Sequence, residues 1–374
     1  GAPLASIQLG AGNREGAEKI LGNCFSMLLV LSVTLTVIFS IFKTPLLYMF
    51  GASDAIIGYA EDYISIYLAG TIFVQLALGL NTFISAQGHA TVAMLSVLIG
   101  AVINIVLDPV FIFTLRLGVQ GAALGTGLAQ ACVAVTLLLG IICRRGPLRF
   151  QGNETWRFTK PCMNNMLRLS TPTALERMAL SLAQIVMTSV VAGMGTVAVA
   201  SNYVAVQTES ICYLPAFGVA SAATALVGQS IGARRLDMAK RFAYGTTILG
   251  SILVFFMALL MFGFAPFLTS LLTADTEVAE VSAGLLRIVA FSEPLFAVSI
   301  VATGALRGAG DSKAPFFINL FTMWGVRVMT VLVFTHRFGV TGVWISMTAE
   351  LITRGIVFLI RLLRGRWLKM PVLF

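Results

Sequence analysis

The stretch YISIYLAGTIFVQLALGLNTFISAQ, residues 63–87, carries no charged side chain over a length sufficient to cross a lipid bilayer. A second uncharged stretch covers residues 178–208, and the sequence Gly-Met-Gly-Thr at 193–196 divides it into two segments. Because hydrocarbon offers the backbone no hydrogen-bond partner, such segments must fold as helices. These stretches therefore predict an all-α protein that crosses a membrane several times.

The composition of the whole chain agrees with this prediction and excludes several classes of protein. Of the 374 residues, 58% are hydrophobic and only 11% are charged, whereas about 25% are charged in a soluble domain. A soluble enzyme, a disordered chain and a secreted disulfide scaffold are therefore excluded. The five cysteines stand singly without CxxC spacing, and they predict neither a disulfide framework nor a zinc site.

Ten apolar runs are long enough to span the bilayer as helices. They cover residues 23–47, 60–86, 90–115, 119–143, 169–192, 197–226, 243–272, 281–305, 314–335 and 340–362. The 22 residues before the first run form a polar segment with both acidic and basic side chains. We therefore predict a polytopic membrane protein with ten spans.

The basic residues are distributed unequally between the loops. One set of alternate loops holds 18 Lys and Arg residues, and the opposite set holds three. Cytoplasmic loops carry the excess of basic residues in membrane proteins. The net charge of +9 therefore indicates topology rather than nucleic-acid binding. We expect a multi-pass protein of the cell (plasma) membrane, the inner membrane of a bacterium, with both termini of this chain in the cytoplasm.

The chain contains an internal repeat of more than 200 residues. The sequence QLGA at 8–11 corresponds to SIGA at 230–233, and GVQG at 118–121 corresponds to GVTG at 339–342. Two copies that face the same way predict a pair of parallel helical bundles, as transporters have. The predicted parts are an N-terminal lobe at 1–143, a cytoplasmic linker at 144–168 and a C-terminal lobe at 169–374.

The two copies differ in their number of spans. Two predicted spans precede the motif at 230–233, whereas the matching motif at 8–11 stands at the start of the chain. We therefore expect two pseudo-symmetric six-helix bundles, with the first two helices of the first bundle missing from this sequence.

A carboxylate and an amide lie together in the third predicted span. Asn104 and Asp108 are four residues apart, a spacing that places both on one face of a helix. Pro109 removes a backbone donor and distorts the turn, which leaves a carbonyl free for an ion or water. Thr126 lies at a similar depth in the next span. Such oxygen ligands suit a small cation; the alternative is a polar pair that only holds two helices together.

The second lobe contains further carboxylates inside predicted spans, where an uncompensated charge costs about 2.5–3.5 kcal/mol. Glu176 adjoins Arg177, which predicts a self-neutralised pair. Glu293 precedes Pro294 and stands six residues after Arg287. A cation or substrate site is one interpretation of these carboxylates, and structural ion pairs are the other.

Glu209 is the third candidate carboxylate in the predicted spans of this lobe, after Glu176 and Glu293. It lies near Asn202 and Gln207 in the sequence, and a cationic substrate is one expected partner for this polar group. A structural pair with Arg327 or Arg354 is the alternative.

Other motifs do not predict chemistry. The sequence GAGD at 308–311 fits a GxGD protease pattern, but its Asp lies in a basic loop and no Tyr-Asp partner occurs in the sequence. The two histidines, His89 and His336, lie at helix ends on opposite sides and predict no metal site. We therefore predict that the protein is not an enzyme, and we expect no cofactor apart from a coupling Na⁺ or H⁺.

Several motifs, taken in order along the chain, resemble those of the multidrug and toxic compound extrusion (MATE) transporters. They are Gly88-His89, NIVLDP at 104–109, GVQGAA at 118–123, Val227-Gly228-Gln229 before Gly232-Ala233, and LRGAGD at 306–311. The resemblance covers essentially the whole chain and is nearest to the DinF-like bacterial branch.

This resemblance implies roles for particular residues. In the DinF-like branch an Asn and an Asp of the fifth helix, a Thr of the sixth and an Asp of the first form a cation site. Asn104, Asp108 and Thr126 stand at matching positions, and the first helix is among those missing here. Another branch places carboxylates in its seventh and tenth helices, which Glu176 and Glu293 resemble loosely.

The residues and the resemblance together predict a secondary active antiporter that exports organic cations or drugs in exchange for Na⁺ or H⁺. The expected partners are small organic cations and the lipid bilayer, without nucleic acid, and the protein is expected to be a monomer. The alternatives are a flippase of lipid-linked precursors with related architecture and a non-transporting membrane receptor or scaffold. A flippase would need several cationic residues in its cavity, and a scaffold would leave Asn104 and Asp108 without a task.

Overall fold

A computed structural model of the chain describes residues 1–49, 54, 56–143 and 160–369. The chain divides into two compact units, Gly1–Met163 and Asn164–Phe374. Most of the predicted linker, residues 144–159, lies outside the described residues. Residues 160–168 form the beginning of a long helix.

Helices connected by short turns build the first unit. They are α1 (Ala2–Gly10), α2 (Arg14–Ile41), α3 (Lys43–Met49), α4 (Ile57–Ala86), α5 (Ala90–Pro109) with a π-helical turn at Val110–Thr114, and α6 (Gly118–Cys143). The polar segment before the first predicted span is helical, since it forms α1 and the beginning of α2. Asn13 caps the N-terminus of α2 by accepting a hydrogen bond from Gly16 N at 2.9 Å. The predicted span 23–47 ends earlier, at Ile41. Helix α4 packs against α2, α5 and α6.

The second unit has the same all-helical construction. Its helices are α7 (Lys160–Ala192), α8 (Thr196–Gly232), α9 (Leu236–Ser270), α10 (Thr276–Val289), α11 (Glu293–Gly308), α12 (Lys313–Leu320) with a π-helical segment at Phe321–Val328, α13 (Met329–Leu363) and a short 3₁₀ helix at Arg366–Lys369. Helix α8 packs against α9 and α11, and α11 also packs against α13.

Apolar helices occupy the predicted spans within the described ranges. Eight helical segments are long and apolar enough to cross a membrane, and α10 and α11 together form a further span bent by 62°. The segment Lys313–Leu363 has 51 residues, which would extend about 77 Å against a hydrocarbon thickness of about 30 Å. Gly339 interrupts it with non-helical angles of φ 56° and ψ −136°, so it supplies two spans. The chain is a multi-pass membrane protein.

The internal repeat is visible in the backbone. Three turns of the first unit contain a residue with positive φ, and each has a counterpart in the second unit at an offset of 221 or 222 residues. The pairs are Gly12 (75°) and Arg234 (57°), Gly88 (87°) and Gly310 (84°), and Gly118 (54°) and Gly339 (56°). Helix α4 ends at Ala86 and α11 ends 222 residues later at Gly308. The continuous α4 therefore corresponds to the bent pair α10–α11.

Small residues allow close helix packing in the second unit. A Cβ atom added at Gly304 or Gly308 would collide with the backbone oxygens of Ala220 or Thr224 in α8. The Thr224 hydroxyl donates to Gly304 O at 2.8 Å. Such small-residue contacts are a common way for membrane helices to associate.

Large apolar side chains face outward along the spans. Phe255 and Phe256 of α9, for example, are 51% and 59% exposed. Lipid is the solvent that such surfaces require.

Candidate functional site

The predicted pair of the first unit is joined by a hydrogen bond. Asn104 Nδ2 donates to Asp108 Oδ1 at 2.9 Å, as the four-residue spacing on α5 predicts. Both side chains are half-buried. The second carboxylate oxygen and the amide oxygen of Asn104 remain as acceptors, because a carboxylate has about four lone-pair sites and an amide oxygen two.

The helix is irregular directly after this pair. Pro109 is the last residue of α5, and the chain continues into the π-helical turn Val110–Thr114 without leaving the span. Proline lacks the N–H that Ile105 O would accept in a regular helix. Pro109 therefore combines a distorted turn with the carboxylate beside it, and π-helical turns are frequent at functional sites.

Helix α6 forms the other wall of this site. A Cβ atom at Gly125 would collide with Asp108 Oδ1, so the carboxylate lies directly against the α6 backbone. Thr126 is the next residue and is half-buried. Asp108 therefore meets α6 one residue before Thr126, the predicted third member of the site. Within the described ranges, no hydrogen bond joins Thr126 to Asn104 or Asp108.

Glu176 has a different partner from the one predicted. Arg177 is exposed while Glu176 is 4% exposed, because adjacent residues on a helix point in different directions. Arg307 donates through Nη2 to both carboxylate oxygens at 2.9 Å. Asn319 Nδ2 donates to Oε1 at 2.8 Å. The predicted Glu176–Arg177 pair is therefore wrong, and Glu176 joins three helices instead.

Glu293 is the most deeply buried carboxylate of the second unit. It is 0% exposed and begins α11 at the 62° bend, where Pro294 follows it. The Glu209 carboxyl and the Cys212 thiol lie beside it. Among the described residues, no N–H or hydroxyl donor reaches either Glu293 oxygen. Arg287, the arginine six residues earlier, is exposed and does not pair with it.

Glu209 is separated from the polar residues near it in the sequence. It is 3% exposed, whereas Gln207 is exposed and donates to Tyr203 Oη at 3.5 Å. Asn202 Oδ1 accepts from Trp344 Nε1 at 3.0 Å. The three polar residues therefore do not form a common group.

Two arginines, Arg327 and Arg354, and a further carboxylate, Glu350, lie in the same interior as Glu209 and Glu293. Arg354 Nε donates to Glu350 Oε1 at 2.7 Å, and Glu350 is fully buried. Arg327 donates to Met347 Sδ at 2.9 Å, and the charges of Glu209 and Glu350 act on it. The group thus contains three carboxylates and two guanidinium ions, which leaves one carboxylate without a basic counterpart.

Comparison with known proteins places this arrangement in a family. A family model described as MatE matches residues 1–110 and 172–333, more than half of the chain. The chain belongs to the MatE family. MatE members are in general transporters rather than enzymes.

The MatE relatives include proteins from several bacteria. The probable multidrug resistance protein YoeA of Bacillus subtilis is 27% identical to this chain, and the match covers 91% of this chain and 75% of YoeA. The probable multidrug resistance protein NorM of Thermotoga maritima is 25% identical, and the match covers 98% of this chain and 80% of NorM. A solved structure of a multidrug resistance MATE family transporter in an outward-facing conformation is 24% identical and superimposes with a TM-score of 0.92, covering 99% of this chain and 83% of that one. The last likeness confirms the MatE fold.

Three residues of this MatE chain that contact the candidate carboxylates were not found by sequence reasoning. Arg307 follows the predicted span 281–305 and so falls in a predicted cytoplasmic loop, but α11 continues to Gly308. Asn319 is a lone amide in an apolar span, and this isolated polar residue is the feature of the sequence that indicates a buried polar partner. Cys212 stands one turn after Glu209 on α8, and that spacing is the only local indication of its place beside Glu293.

Proposed function

We propose that the protein is a secondary antiporter that exports organic cations or drugs in exchange for Na⁺ or H⁺. The Asn104–Asp108 pair is the observation that carries the proposal. An ionisable carboxylate inside a membrane span is costly and is usually functional. Membership of the MatE family and relatives named as probable multidrug resistance proteins support the class of substrate.

Competition for charge is the mechanism that these residues support. Asp108 needs a cation or a proton to neutralise it in a site of low dielectric constant. Asn104 already donates one N–H to the carboxylate, and its amide oxygen, with Thr126 on α6, completes an oxygen-rich surrounding for Na⁺. A proton would occupy the same carboxylate and exclude the metal ion.

Coupling follows if the bound ion and the substrate favour different conformations. A ligand shifts a conformational equilibrium only by its difference in affinity for the two states. We therefore assign to Asp108 the neutralisation that favours one state, and the substrate cation favours the other. The DinF-like branch assignment and the choice between Na⁺ and H⁺ stay predictions.

The second unit supplies a further group for a cation or a substrate. Arg307 and Asn319 already satisfy Glu176, so we assign to Glu176 a supporting role. Glu209 and Glu293 lie together, and with Glu350 they make three carboxyl groups beside the guanidinium groups of Arg327 and Arg354. We infer that this pair takes up a proton, an ion or the cationic part of a substrate.

The distribution of basic residues supports the proposed membrane topology of the protein. The 18 to three bias between alternate loops supports a multi-pass protein of the plasma membrane with both ends of this chain in the cytoplasm. We propose that the transporting species is a monomer.

Transport by the reconstituted protein tests the proposal. Liposomes containing the protein should expel a cationic dye when a Na⁺ or an H⁺ gradient is imposed, and applying each gradient separately identifies the coupling ion. Asp108→Asn should abolish the dependence of efflux on the gradient, because the amide carries no exchangeable charge. Asp62→Asn is the matched control, since Asp62 is exposed and accepts a hydrogen bond from Gln120 at 2.9 Å. Gradient-dependent efflux that survives Asp108→Asn would refute the site.

A further inference from the structure

A basic pocket lies at one end of the second unit, apart from the carboxylates described above. It has a volume of about 420 Å³ and is lined by residues from the start of α12 and the end of α13. Its charged residues are Asp311, Lys313, Arg361, Arg364 and Arg366. Four cations and one carboxylate therefore share a single depression.

The only carboxylate among the described residues that line this pocket is already engaged. Asp311 is 1% exposed, and its Oδ2 accepts from Arg361 Nη2 at 2.6 Å. Its Oδ1 accepts from Ala314 N at 3.1 Å. Arg361 Nε is buried and has no hydrogen-bond partner in the described part of the chain. Asp311 thus fixes one wall of the pocket without neutralising the remaining cations.

The remaining three cations are available to a ligand. Lys313, Arg364 and Arg366 are exposed, and no described carboxylate forms an ion pair with any of them. The pocket therefore has an excess of three positive charges, which an anion bearing a phosphate group would match in charge and hydrogen bonding.

The position of the pocket identifies the kind of anion. Lys313 begins one membrane-spanning segment and Arg364 follows the end of the next, so the cations lie at the level of lipid headgroups. One helical turn deeper from each stands an exposed apolar side chain, Phe317 at 62% and Ile360 at 43%. The surface is therefore basic at the headgroup level and apolar directly below it.

We propose that this pocket binds the headgroup of an anionic phospholipid. Lys313, Arg364 and Arg366 would hold the phosphodiester, and the acyl chains would lie along Phe317 and Ile360. Basic pockets between membrane helices bind anionic headgroups by this combination of charge and apolar contact. The proposal does not depend on the transported substrate, because the pocket shares no residue with the Asn104–Asp108 site or with Glu209 and Glu293.

Binding of single lipid molecules to the delipidated protein tests the proposal. The protein in a neutral detergent is titrated with phosphatidylglycerol, and retained lipid is counted by native mass spectrometry. Phosphatidylcholine is the zwitterionic comparison and should bind much more weakly. The triple variant Lys313→Gln/Arg364→Gln/Arg366→Gln should bind phosphatidylglycerol about 100-fold more weakly, from about a five-fold loss for each removed cation.

A second triple variant separates the pocket from general electrostatic attraction. Arg235→Gln/Lys240→Gln/Arg241→Gln removes the same charge from the exposed α8–α9 turn and the beginning of α9, and it should retain phosphatidylglycerol binding. Equal losses in both triple variants, or no loss in the first, would overturn the pocket. Inorganic phosphate that competes with the lipid at equal concentration would show a site for free phosphate and would overturn the lipid assignment. Circular dichroism confirms that each variant keeps its helical content.

Discussion

Each unit carries an acidic residue followed directly by proline where a membrane helix becomes irregular. In the first unit, Asp108-Pro109 lies in a span that continues through the proline into a π-helical turn. In the second, Glu293-Pro294 begins a new helix after a bend of 62°. An acidic residue followed by proline thus has two settings, because Pro109 stands inside a continuous span and Pro294 stands in the first turn of a helix, where no N–H donor is needed.

The surroundings of the two carboxylates differ as well. Asp108 is half-buried and accepts a hydrogen bond from Asn104. Glu293 is fully buried beside Glu209, and among the described side chains none donates an N–H or hydroxyl hydrogen bond to it. The first site resembles a partly assembled set of cation ligands, while the second places two carboxyl groups side by side. The comparison teaches that the repeated fold does not impose a repeated site.

The largest expected effect is on stability, and it distinguishes Glu176 from Glu293 in the second unit. Glu176→Met should lower the free energy of unfolding by about 3 kcal/mol, because it leaves Arg307 and Asn319 without their partner. Glu293→Met should raise it by about 1–2 kcal/mol, because it removes a fully buried carboxyl group that, among the described residues, accepts no hydrogen bond from an N–H or hydroxyl donor. Unfolding in detergent, followed by circular dichroism, measures both. The same sign for both variants would contradict the distinction.

A smaller effect is expected at the wall of the first site. Gly125→Ala should displace the Asp108 carboxylate, break its hydrogen bond with Asn104 and cost about 1–2 kcal/mol. Gly127→Ala is the control, since an added Cβ there meets its nearest neighbour, Gly70 Cα, at 4.0 Å. Gly125→Ala, but not Gly127→Ala, should lower both the midpoint of thermal unfolding and the rate of gradient-driven dye efflux. Equal behaviour of the two variants would show that the contact with Asp108 has no consequence.

The smallest effect tests the two prolines. Pro109→Ala restores an N–H inside a continuous helix and should stabilise the protein by about 1 kcal/mol. Pro294→Ala should change stability by less than about 0.5 kcal/mol, because its position in α11 requires no donor. The difference between the two unfolding midpoints is the measurement. A larger gain from Pro294→Ala would mean that proline strains the bend rather than fitting it.

The fold was largely predictable because lipid imposes simple rules on sequence. Uncharged runs such as 63–87 identify spans, and the glycines at 88 and 118, which recur at 310 and 339, mark turns whose geometry is the same in both copies. The ends of helices were less predictable. Polar residues such as Arg14 and Lys160 continue helices past the membrane, where water is the solvent and hydrophobicity no longer marks the boundary.

The candidate site was predictable where it is local and unpredictable where it is not. The bond between Asn104 and Asp108 follows from a spacing of four residues on one helix. The bond between Glu176 and Arg307 joins residues 131 positions apart, and no pattern in a single sequence specifies such a pair. Arg177 was the nearest cation along the chain, but the helical rotation of about 100° between neighbours turns it away.

The contrast between α4 and its counterpart α10–α11 has a mechanical consequence. An unbroken helix of 30 residues is a stiff rod of about 45 Å, so a displacement at one of its ends must reappear at the other. The bend in α10–α11 instead turns the chain by 62° at residues 290–292, so the two halves lie along different axes. One copy of the repeat therefore connects the two ends of its span along a single axis, and its counterpart does not.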